Sequence, residues 1–298
     1  MPYFCVLFLN TQTTLMAKSA ILKSSLAKKY WMALTGLFLC LFLAGHLAGN
    51  LQLIFGNALQ FNQYALFMTT NPAVKLLSYL TYISILFHAI DGILLTVQNR
   101  RARPIKYAKE NASANSAWAS RNMAVLGTLI LVFIVTHMVN FWAKMHFDEN
   151  MPLQTIMVDT GGGKQELYIT TDGDYLPKIR VEQKMVTIKN RTEFYDGTAD
   201  VKLKEGYKDL HKITFAFFQD AKFGLIATIL YVISMIVLAF HLNHGFASAF
   251  QSLGANNPKY NGLIRGFGKG FSIIVPFLFA IIPVYIHFSE QINSLFAK

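Results

Sequence analysis

Five long apolar stretches constrain this chain more than any other feature of its sequence. About 20 apolar residues suffice for a helix to cross a bilayer, and a chain within a bilayer must satisfy its backbone hydrogen bonds internally. The chain is 53% hydrophobic and only 14% charged, which is too apolar for an ordinary soluble domain. The sequence therefore predicts an all-α membrane protein, a bundle of five transmembrane helices. The predicted spans cover about 31–55, 73–97, 122–142, 223–249 and 267–288.

The distribution of charge predicts the orientation of these spans. Residues 144–222 hold 13 of the 16 acidic and 12 of the 27 basic residues, so this segment is nearly neutral. The other basic residues lie mainly before span one, between spans two and three, and between spans four and five. By the positive-inside rule these three segments are cytoplasmic. We expect a multi-pass protein of the bacterial cytoplasmic (inner) membrane, with its N-terminus in the cytoplasm and lipid, not nucleic acid, as its surroundings.

The orientation divides the chain into four predicted parts. Within the insert between spans three and four, β-branched and aromatic residues alternate with Asp-Gly turns, as in ELYITTDG and EFYDG, which predicts short strands and β-hairpins. Met16 is a natural alternative start, so residues 1–15 are expected to be dispensable. The parts are a cytoplasmic lead-in (1–29), spans one to three (30–143), an extracytoplasmic insert (144–222) and spans four and five (223–298).

Four histidines lie in four different spans. His46 and His137 each follow the cytoplasmic start of their span by 16 residues, which places both about 24 Å from the inner surface. His88 and His244 lie closer to the cytoplasm, at a depth of about 15 Å. An ionisable side chain at such a depth is costly and indicates a functional site. Counting residues therefore pairs His46 with His137 in the outer half and His88 with His244 in the inner half.

Two imidazoles facing each other across a helix bundle are the ligands of a low-spin b haem. The chain has no C-x-x-C-H sequence, which excludes covalent attachment through the usual c-type motif. We therefore predict two b haems, with iron bound by His46, His88, His137 and His244. His241 lies three residues before His244 on nearly the same helix face, and it is the alternative fourth ligand.

Small and basic residues near these histidines have predicted roles as well. Gly36 and Gly127 each precede a histidine by 10 residues, or about 15 Å. Both glycines should lie opposite the inner haem, where a missing side chain admits the edge of the ring; close helix packing is the alternative explanation. The haem propionates need cationic or hydroxyl donors at the inner surface, for which we predict Lys28, Lys29, Ser120 and Arg121.

The remaining polar residues of the spans allow weaker predictions. Asp91 is the only acidic residue within a span, and it either relays protons or is solvated at the inner edge. His287, at the outer end of span five, is expected in interfacial packing or a quinone site, whereas His146 and His211 are expected at the surface. Pro276 and Pro283 should kink span five. An amide cluster near the outer haem is the predicted quinone site: Asn50, Gln52, Asn57, Gln60, Asn62 and Gln63.

Four segments resemble one known family. TGLFLCLFLAGHLAGN, FHAIDGILL, VTHMVNFW and HLNHGFASAFQSLG are similar to the dihaem cytochrome b subunit, b558 type, of succinate:menaquinone oxidoreductases and fumarate reductases. The resemblance extends over all five spans. It implies the ligand pairs His46/His137 and His88/His244. It also implies two partners at the cytoplasmic face, an FAD flavoprotein and an iron–sulphur subunit, with electrons passing through the haems to or from menaquinone.

Two departures from the family leave alternatives open. The insert 144–222 is not part of the common pattern. Leu242 stands where some members carry a glutamate for proton transfer, which puts a proton path there in doubt. The alternatives are the dihaem cytochrome b of a membrane hydrogenase or formate dehydrogenase, and a haem-free transporter that uses its histidines as proton relays.

Overall fold

The computed structural model describes residues 24–102, 111, 114 and 116–296. Within these residues, five helices are long and apolar enough to cross a membrane, which confirms the predicted number of spans. Residues 1–23 of the predicted lead-in, among them Cys5, lie outside the described residues. The spans are Leu26–Phe55, Pro72–Arg101, Met123–Phe147, Gly224–Ser252 and Pro258–His287.

Two of the spans are built from more than one helical segment. The first joins α1 and α2 through a single turn residue, and a short helix, α3, follows it. The third changes to π-helix for six residues, Met138–Ala143, directly after His137. The helices are α1 Ser25–Asn50, α2 Gln52–Phe55, α3 Ala58–Thr70, α4 Pro72–Arg101, α5 Trp118–Arg121, α6 Met123–His137, α7 Lys144–Phe147, α8 Lys178–Glu182, α9 Leu210–Gln219, α10 Gly224–Ser252, α11 Pro258–His287 and α12 Ser289–Phe296.

Helix α11 is longer than its apolar pattern predicts. Its apolar stretch begins near residue 267, whereas the helix begins at Pro258. Proline is favoured at the first helical position, because its missing N–H would have no partner there in any case. The helix runs on to His287 past Pro276 and Pro283, so neither proline ends it.

The chain forms two compact units, and each long helix contributes one stretch to each. The first unit contains the described residues up to Ala44, then Ser78–Leu131 and Ile236–Pro276. The second contains Gly45–Leu77, Val132–Met235 and the chain from Phe277 onward. One predicted pair of histidines therefore lies in each unit.

Six short strands form two antiparallel sheets in the insert, which confirms the predicted β-hairpins. Each sheet is a meander of three strands in the order of the sequence. Two isolated bridges, Leu153 with Lys208 and Thr170 with Gly206, connect the strands further. The strands are β1 Thr155–Asp159, β2 Lys164–Ile169 and β3 Tyr175–Pro177, then β4 Val186–Lys189, β5 Glu193–Asp196 and β6 Lys202–Glu205.

The insert has a small hydrophobic core of its own. Phe194 is fully buried at its centre, together with Leu153, Leu176 and Val186. Gly206 allows this packing, because a Cβ atom there would lie 3.0 Å from Cε2 of Phe194. Leu176 from the first sheet and Val186 and Phe194 from the second thus share one core.

An ion-pair cluster joins the first sheet to the second. The Nζ of Lys204 on β6 lies 2.6 Å from Asp172 and 2.5 Å from Asp174, both in the turn between β2 and β3. The hydrogen bond from Lys204 is the main reason why the pKa of Asp172 is lowered to about 2. The pairs are exposed to solvent and screened by salt, so they fix the position of the turn more than they stabilise the protein.

A buried amide ties the insert to helix α3. Asn62 is only 1% exposed, and its Nδ2 donates to Gln154 Oε1 at 3.1 Å and to Asp209 Oδ1 at 2.9 Å. Its Oδ1 accepts the backbone N–H of His211 at 3.0 Å. Asn62 therefore uses both ends of its amide to hold together the first and last segments of the insert.

Two cations of the insert bind the end of span three. Lys208 Nζ donates to the carbonyl of Met145 at 2.6 Å, and the guanidinium of Arg191 donates to the carbonyl of His146. The last carbonyl groups of a helix have no partner within the helix and carry partial negative charge. The two cations satisfy these groups and attach the insert to α7.

Replacing Asn62 by alanine should loosen the insert, because it leaves Gln154 Oε1 and the backbone N–H of His211 without their partner and removes one of the two donors to Asp209 Oδ1. The expected loss of stability is about 2–4 kcal/mol. Limited proteolysis of the purified protein should then cut within residues 148–209 at a markedly lower protease concentration. Gln63→Ala changes the exposed neighbouring amide and should behave as wild type. Equal resistance of both variants would show that the Asn62 network does not hold the insert.

Candidate functional site

The first histidine cluster lies in the first unit and consists of His88, His241, Gly36, Gly127 and Thr35. His88 is on α4 and His241 is on α10, and their ring centroids are 6.2 Å apart at an interplanar angle of 68°. When two imidazoles bind one metal ion from opposite sides, each metal–nitrogen distance is about 2 Å, so the centroids lie about 6 Å apart. The observed separation meets that requirement.

Hydrogen bonds on helix α1 orient the ring of His88. Thr35 Oγ1 donates to the backbone carbonyls of Trp31 and Met32, at 2.9 and 3.2 Å. Its oxygen therefore acts as an acceptor towards His88 Nδ1, which lies 3.3 Å away. With the proton on Nδ1, the neutral ring presents Nε2 as a free electron pair, the form in which histidine binds a metal.

Both predicted glycines contact this pair of rings. A Cβ atom on Gly36 would lie 3.2 Å from Cε1 of His88, and one on Gly127 would lie 3.7 Å from Cε1 of His241. The sequence placed both glycines beside the inner histidines, and the structure brings them there. A methyl group at Gly36 would press against the ring of His88, whereas the space at Gly127 would accept one.

The structure favours His241 over His244 as the partner of His88. Residues three apart on a helix point about 60° away from each other, and here it is the ring of His241 that faces His88 and contacts Gly127. His241 and His244 are both half-buried, so exposure does not separate them. Depth favours the same residue: His88 lies 13 residues before the end of α4, and His241 lies 11 before the end of α10. The predicted ligand His244 lies only 8 residues from that end.

The second histidine cluster lies in the second unit and has His46 and His137 at its centre. His46 is on α1 and His137 is the last residue of α6. Their ring centroids are 5.9 Å apart, and the rings are nearly perpendicular, at 86°. This separation also matches two imidazoles that share one metal ion. The structure thus brings together the two histidines that depth counting paired.

Aromatic side chains enclose His137. Phe133 stacks on its ring at 5.7 Å, one turn before it, and Phe141 lies 5.3 Å away on the π-helical segment. Tyr231 of α10 approaches the ring to 6.0 Å. A π-helical turn changes which residues share a helix face, and such turns occur often at functional sites. No feature of the sequence pattern predicts this π-helix.

His46 has one aromatic and one polar neighbour of its own. Phe279 of α11 lies 5.6 Å from its ring. The Nδ2 of Asn50 donates to the carbonyl of His46 at 2.7 Å and lies 3.3 Å from its Nδ1. Asn50, predicted in a quinone site, contacts the imidazole of its own helix instead.

In each cluster, one histidine ring nitrogen is buried and has no hydrogen-bond partner among the described residues. These nitrogens are Nδ1 of His137 and Nδ1 of His241. A buried unpaired polar atom costs about 1–3 kcal/mol, and such atoms need an explanation in a folded protein. Direct binding of these Nδ1 atoms to a metal would supply one, whereas binding through Nε2 would leave them unpaired. The described residues contain no group of three or more protein metal ligands, and haem iron needs only two, since the porphyrin contributes four nitrogens.

The cationic residues predicted for the haem propionates lie apart from these ring contacts. Lys29 is exposed. Arg121 is also exposed, and its guanidinium donates to the carbonyl of Ser116. Lys28 is half-buried. Asp91 is buried one turn after His88 and has one buried carboxyl oxygen without a hydrogen bond within the described residues. The propionate roles of these residues stay predictions.

The predicted amide cluster does not form one site. Asn62 is used in anchoring the insert, and Asn57 caps α3 by accepting the N–H of Gln60 at 2.9 Å. Gln63 is exposed, whereas Gln52 has a buried Oε1. Asn57 and Asn62 thus make separate hydrogen bonds and do not line a common site.

Two further outer histidines, His146 and His211, are packed more closely than predicted. His146 stacks on Trp142 at 4.6 Å, and His211 stacks on Phe215 at 4.2 Å. Both were expected at the surface, and both are half-buried, because the insert and α9 fold back against the ends of the spans.

Changing the two glycines should have opposite effects. Gly36→Ala forces its methyl group against His88, whose ring Thr35 holds in place, and overpacking of this kind costs about 1–3 kcal/mol. Gly127→Ala makes only an ordinary contact and gains up to about 1 kcal/mol of helix propensity. In thermal unfolding of the purified protein, Gly36→Ala should melt at a lower temperature than Gly127→Ala. The reverse order would contradict the close approach at Gly36.

No family model matches the chain, and no curated protein or solved structure is significantly similar to it.

Proposed function

We propose that the chain is the dihaem cytochrome b membrane subunit of a succinate dehydrogenase or fumarate reductase. One observation carries the haem part of this proposal: two separate histidine pairs, each with ring centroids about 6 Å apart, on helices long enough to cross a membrane. The resemblance of the four histidine-bearing segments supports the choice of enzyme.

The residues of the two clusters suit two b haems. His88 and His241 would hold the iron of one, and His46 and His137 would hold the iron of the other. Bound there, the haems would supply one-electron redox chemistry between an iron–sulphur partner and menaquinone. The ring-centroid separations of 6.2 and 5.9 Å support this fit.

The surrounding residues of the chain prepare these sites. Thr35 accepts the Nδ1 proton of His88, so that Nε2 would be the atom that binds the iron. Gly36 and Gly127 leave space beside the rings. Water is excluded around His137 by Phe133, Phe141 and Tyr231. An apolar environment of this kind destabilises the more highly charged state of a haem and so shifts its reduction potential.

The proposal includes two partners and a location. A flavoprotein with FAD, which carries the dicarboxylate site, and an iron–sulphur subunit would dock at the basic cytoplasmic face of a bacterial inner membrane. In this arrangement the chain is the quinone-reactive part of the enzyme and has no catalytic residue for succinate itself.

Native membranes test the choice of enzyme. Succinate should produce a reduced b-type absorption band in membranes that contain the chain, and malonate, a dicarboxylate that competes with succinate, should prevent it. Membranes from a strain that lacks the chain are the control. Reduction by hydrogen or by formate, but not by succinate, would assign the chain to a hydrogenase or formate dehydrogenase instead.

A further inference from the structure

The insert and the chain that leaves span three enclose a cavity of about 670 Å³, a volume in the range of sites for small molecules. All of its lining residues belong to the second unit. One wall is the segment after α7, which includes Glu149. The other wall comes from β2 and from the turn between β4 and β5, with Tyr168, Asn190 and Arg191 among its residues.

The guanidinium of Arg191 is fixed at one end of the cavity. Its Nη1 donates to the backbone carbonyl of His146, and the residue is half-buried. A guanidinium has five N–H groups, so this bond leaves several of them for a ligand. Their planar arrangement matches two oxygens of a phosphate group. Arg191 is therefore placed to bind a phosphate.

A second cation adds positive charge at this end. Lys208 donates to the carbonyl of Met145 at 2.6 Å, one residue before the carbonyl that binds Arg191. Burial is the main reason why the pKa of Lys208 is lowered, and repulsion by Arg191 contributes. Neither cation forms an ion pair with a carboxylate of the described residues. An anionic group bound here would relieve the repulsion between the two like charges.

A carboxylate lies on the opposite wall. Glu149 is exposed and lines the cavity, and it forms no ion pair with another residue in the described part of the chain. Glu149 and Arg191 thus line one cavity without pairing with each other. A ligand that carries both an anionic and a cationic group would satisfy both walls, whereas a simple anion would be repelled by Glu149.

Apolar side chains form part of the lining as well. Met151 and Leu153 are 5% and 8% exposed, and each is packed in a hydrophobic cluster of the second unit. Ile188 on the opposite wall is partly exposed. A short methylene linker between the two charged groups of a ligand suits such a lining.

The position of the cavity selects the source of this ligand. Span three ends at Phe147, only two residues before Glu149. The side chain of Phe147 is 65% exposed, and its ring lies 5.4 Å from that of Trp142. Tryptophan is enriched where a membrane meets water, so the cavity begins at the level of lipid head groups. The zwitterions present at that level are phospholipid head groups.

We propose that this cavity binds the head group of a phospholipid with a primary ammonium group, phosphatidylethanolamine, with Arg191 at its phosphate and Glu149 at its ammonium. The quaternary ammonium of phosphatidylcholine has no N–H to donate to Glu149. Phosphatidylglycerol has the phosphate but no cation, and it leaves Glu149 unpaired. The insert thus binds the membrane surface through one chosen lipid. This inference goes beyond the proposed function and holds whether or not the chain binds haem.

Native mass spectrometry of the full-length protein, delipidated in detergent and titrated with one lipid at a time, tests the site. The lipids are phosphatidylethanolamine, phosphatidylcholine and phosphatidylglycerol with identical acyl chains. The wild-type protein should bind phosphatidylethanolamine about tenfold more tightly than either of the others, because only this lipid forms charge-assisted hydrogen bonds with both walls.

Two substitutions should change this preference in different ways. Glu149→Gln should remove the preference over phosphatidylcholine, while the affinity for phosphatidylcholine stays within about twofold of wild type. Arg191→Gln should weaken the binding of all three lipids about tenfold. The matched controls are Glu182→Gln and Arg180→Gln on α8. They make the same changes of charge at exposed residues outside the cavity and should behave as wild type.

Equal affinities of the wild-type protein for the three lipids would overturn the assignment, as would a preference that survives in Glu149→Gln. Glu149 is exposed, so its substitution tests the site even if Arg191→Gln loosens the insert. Tightest binding of phosphatidylglycerol would overturn the zwitterion in favour of a simple anion. Soluble O-phosphoethanolamine that binds as tightly as the lipid would overturn the membrane as the source. Haem absorbance of the same samples reports separately on the proposed function.

Discussion

Replacing His137 by alanine should remove one of two haems from the purified protein and leave the other. His137 faces His46 at 5.9 Å and is surrounded by three aromatic rings, so no other described histidine contacts it. The remaining imidazole cannot hold the iron alone in a low-spin state. The pyridine haemochrome assay should then give half the wild-type haem per chain.

His46→Ala should have the same result, and the double variant should lose no more than either single one, because the two side chains act as a unit. His146→Ala is the control and should keep both haems. A double variant that loses both haems, or a His137→Ala protein that keeps both, would contradict the pairing of His46 with His137.

His241→Ala should remove the other haem, whereas His244→Ala should keep both. The ring of His241 is the one that faces His88, contacts Gly127 and has a buried unpaired nitrogen. The two substitutions are three residues apart on one helix, so each serves as the control for the other. Reduced-minus-oxidised spectra and haem content measure the outcome.

The contrary result would be equally informative. Loss of one haem in His244→Ala, with both kept in His241→Ala, would mean that α10 turns by about 60° when the site is filled, and it would restore the ligand predicted from sequence. A chain with His241→Ala should also match the spectrum of His88→Ala, since both changes break the same pair.

Helix positions were predictable because they follow from local properties. Hydropathy defines a span within a window of about 20 residues. The helical rise of about 1.5 Å per residue predicts the depths that pair His46 with His137. The positions of Gly36 and Gly127 beside the histidines follow from the same rise. The start of α11 at Pro258 was missed, because residues 258–266 are polar and carry no hydropathy signal.

Contacts between distant segments were not predictable from one sequence. His241 and His244 have the same chemistry, and the choice depends on a helix rotation that depth counting does not measure. The network of Asn62 joins residues 92 to 149 positions apart in the chain, so an amide that looks solvated is buried. The cavity beside Arg191 likewise needs the insert to fold back, since its walls come from residues 149–153, from β2 and from the turn between β4 and β5.

Haem content per chain tests the central claim most directly. The full-length protein, expressed with haem supply and purified in detergent, should contain two b haems per polypeptide by the pyridine haemochrome assay and show a b-type α-band in its reduced-minus-oxidised spectrum. One haem would mean that only one of the two histidine pairs binds iron. A protein that is folded, with all five spans intact, but holds no haem would contradict the account.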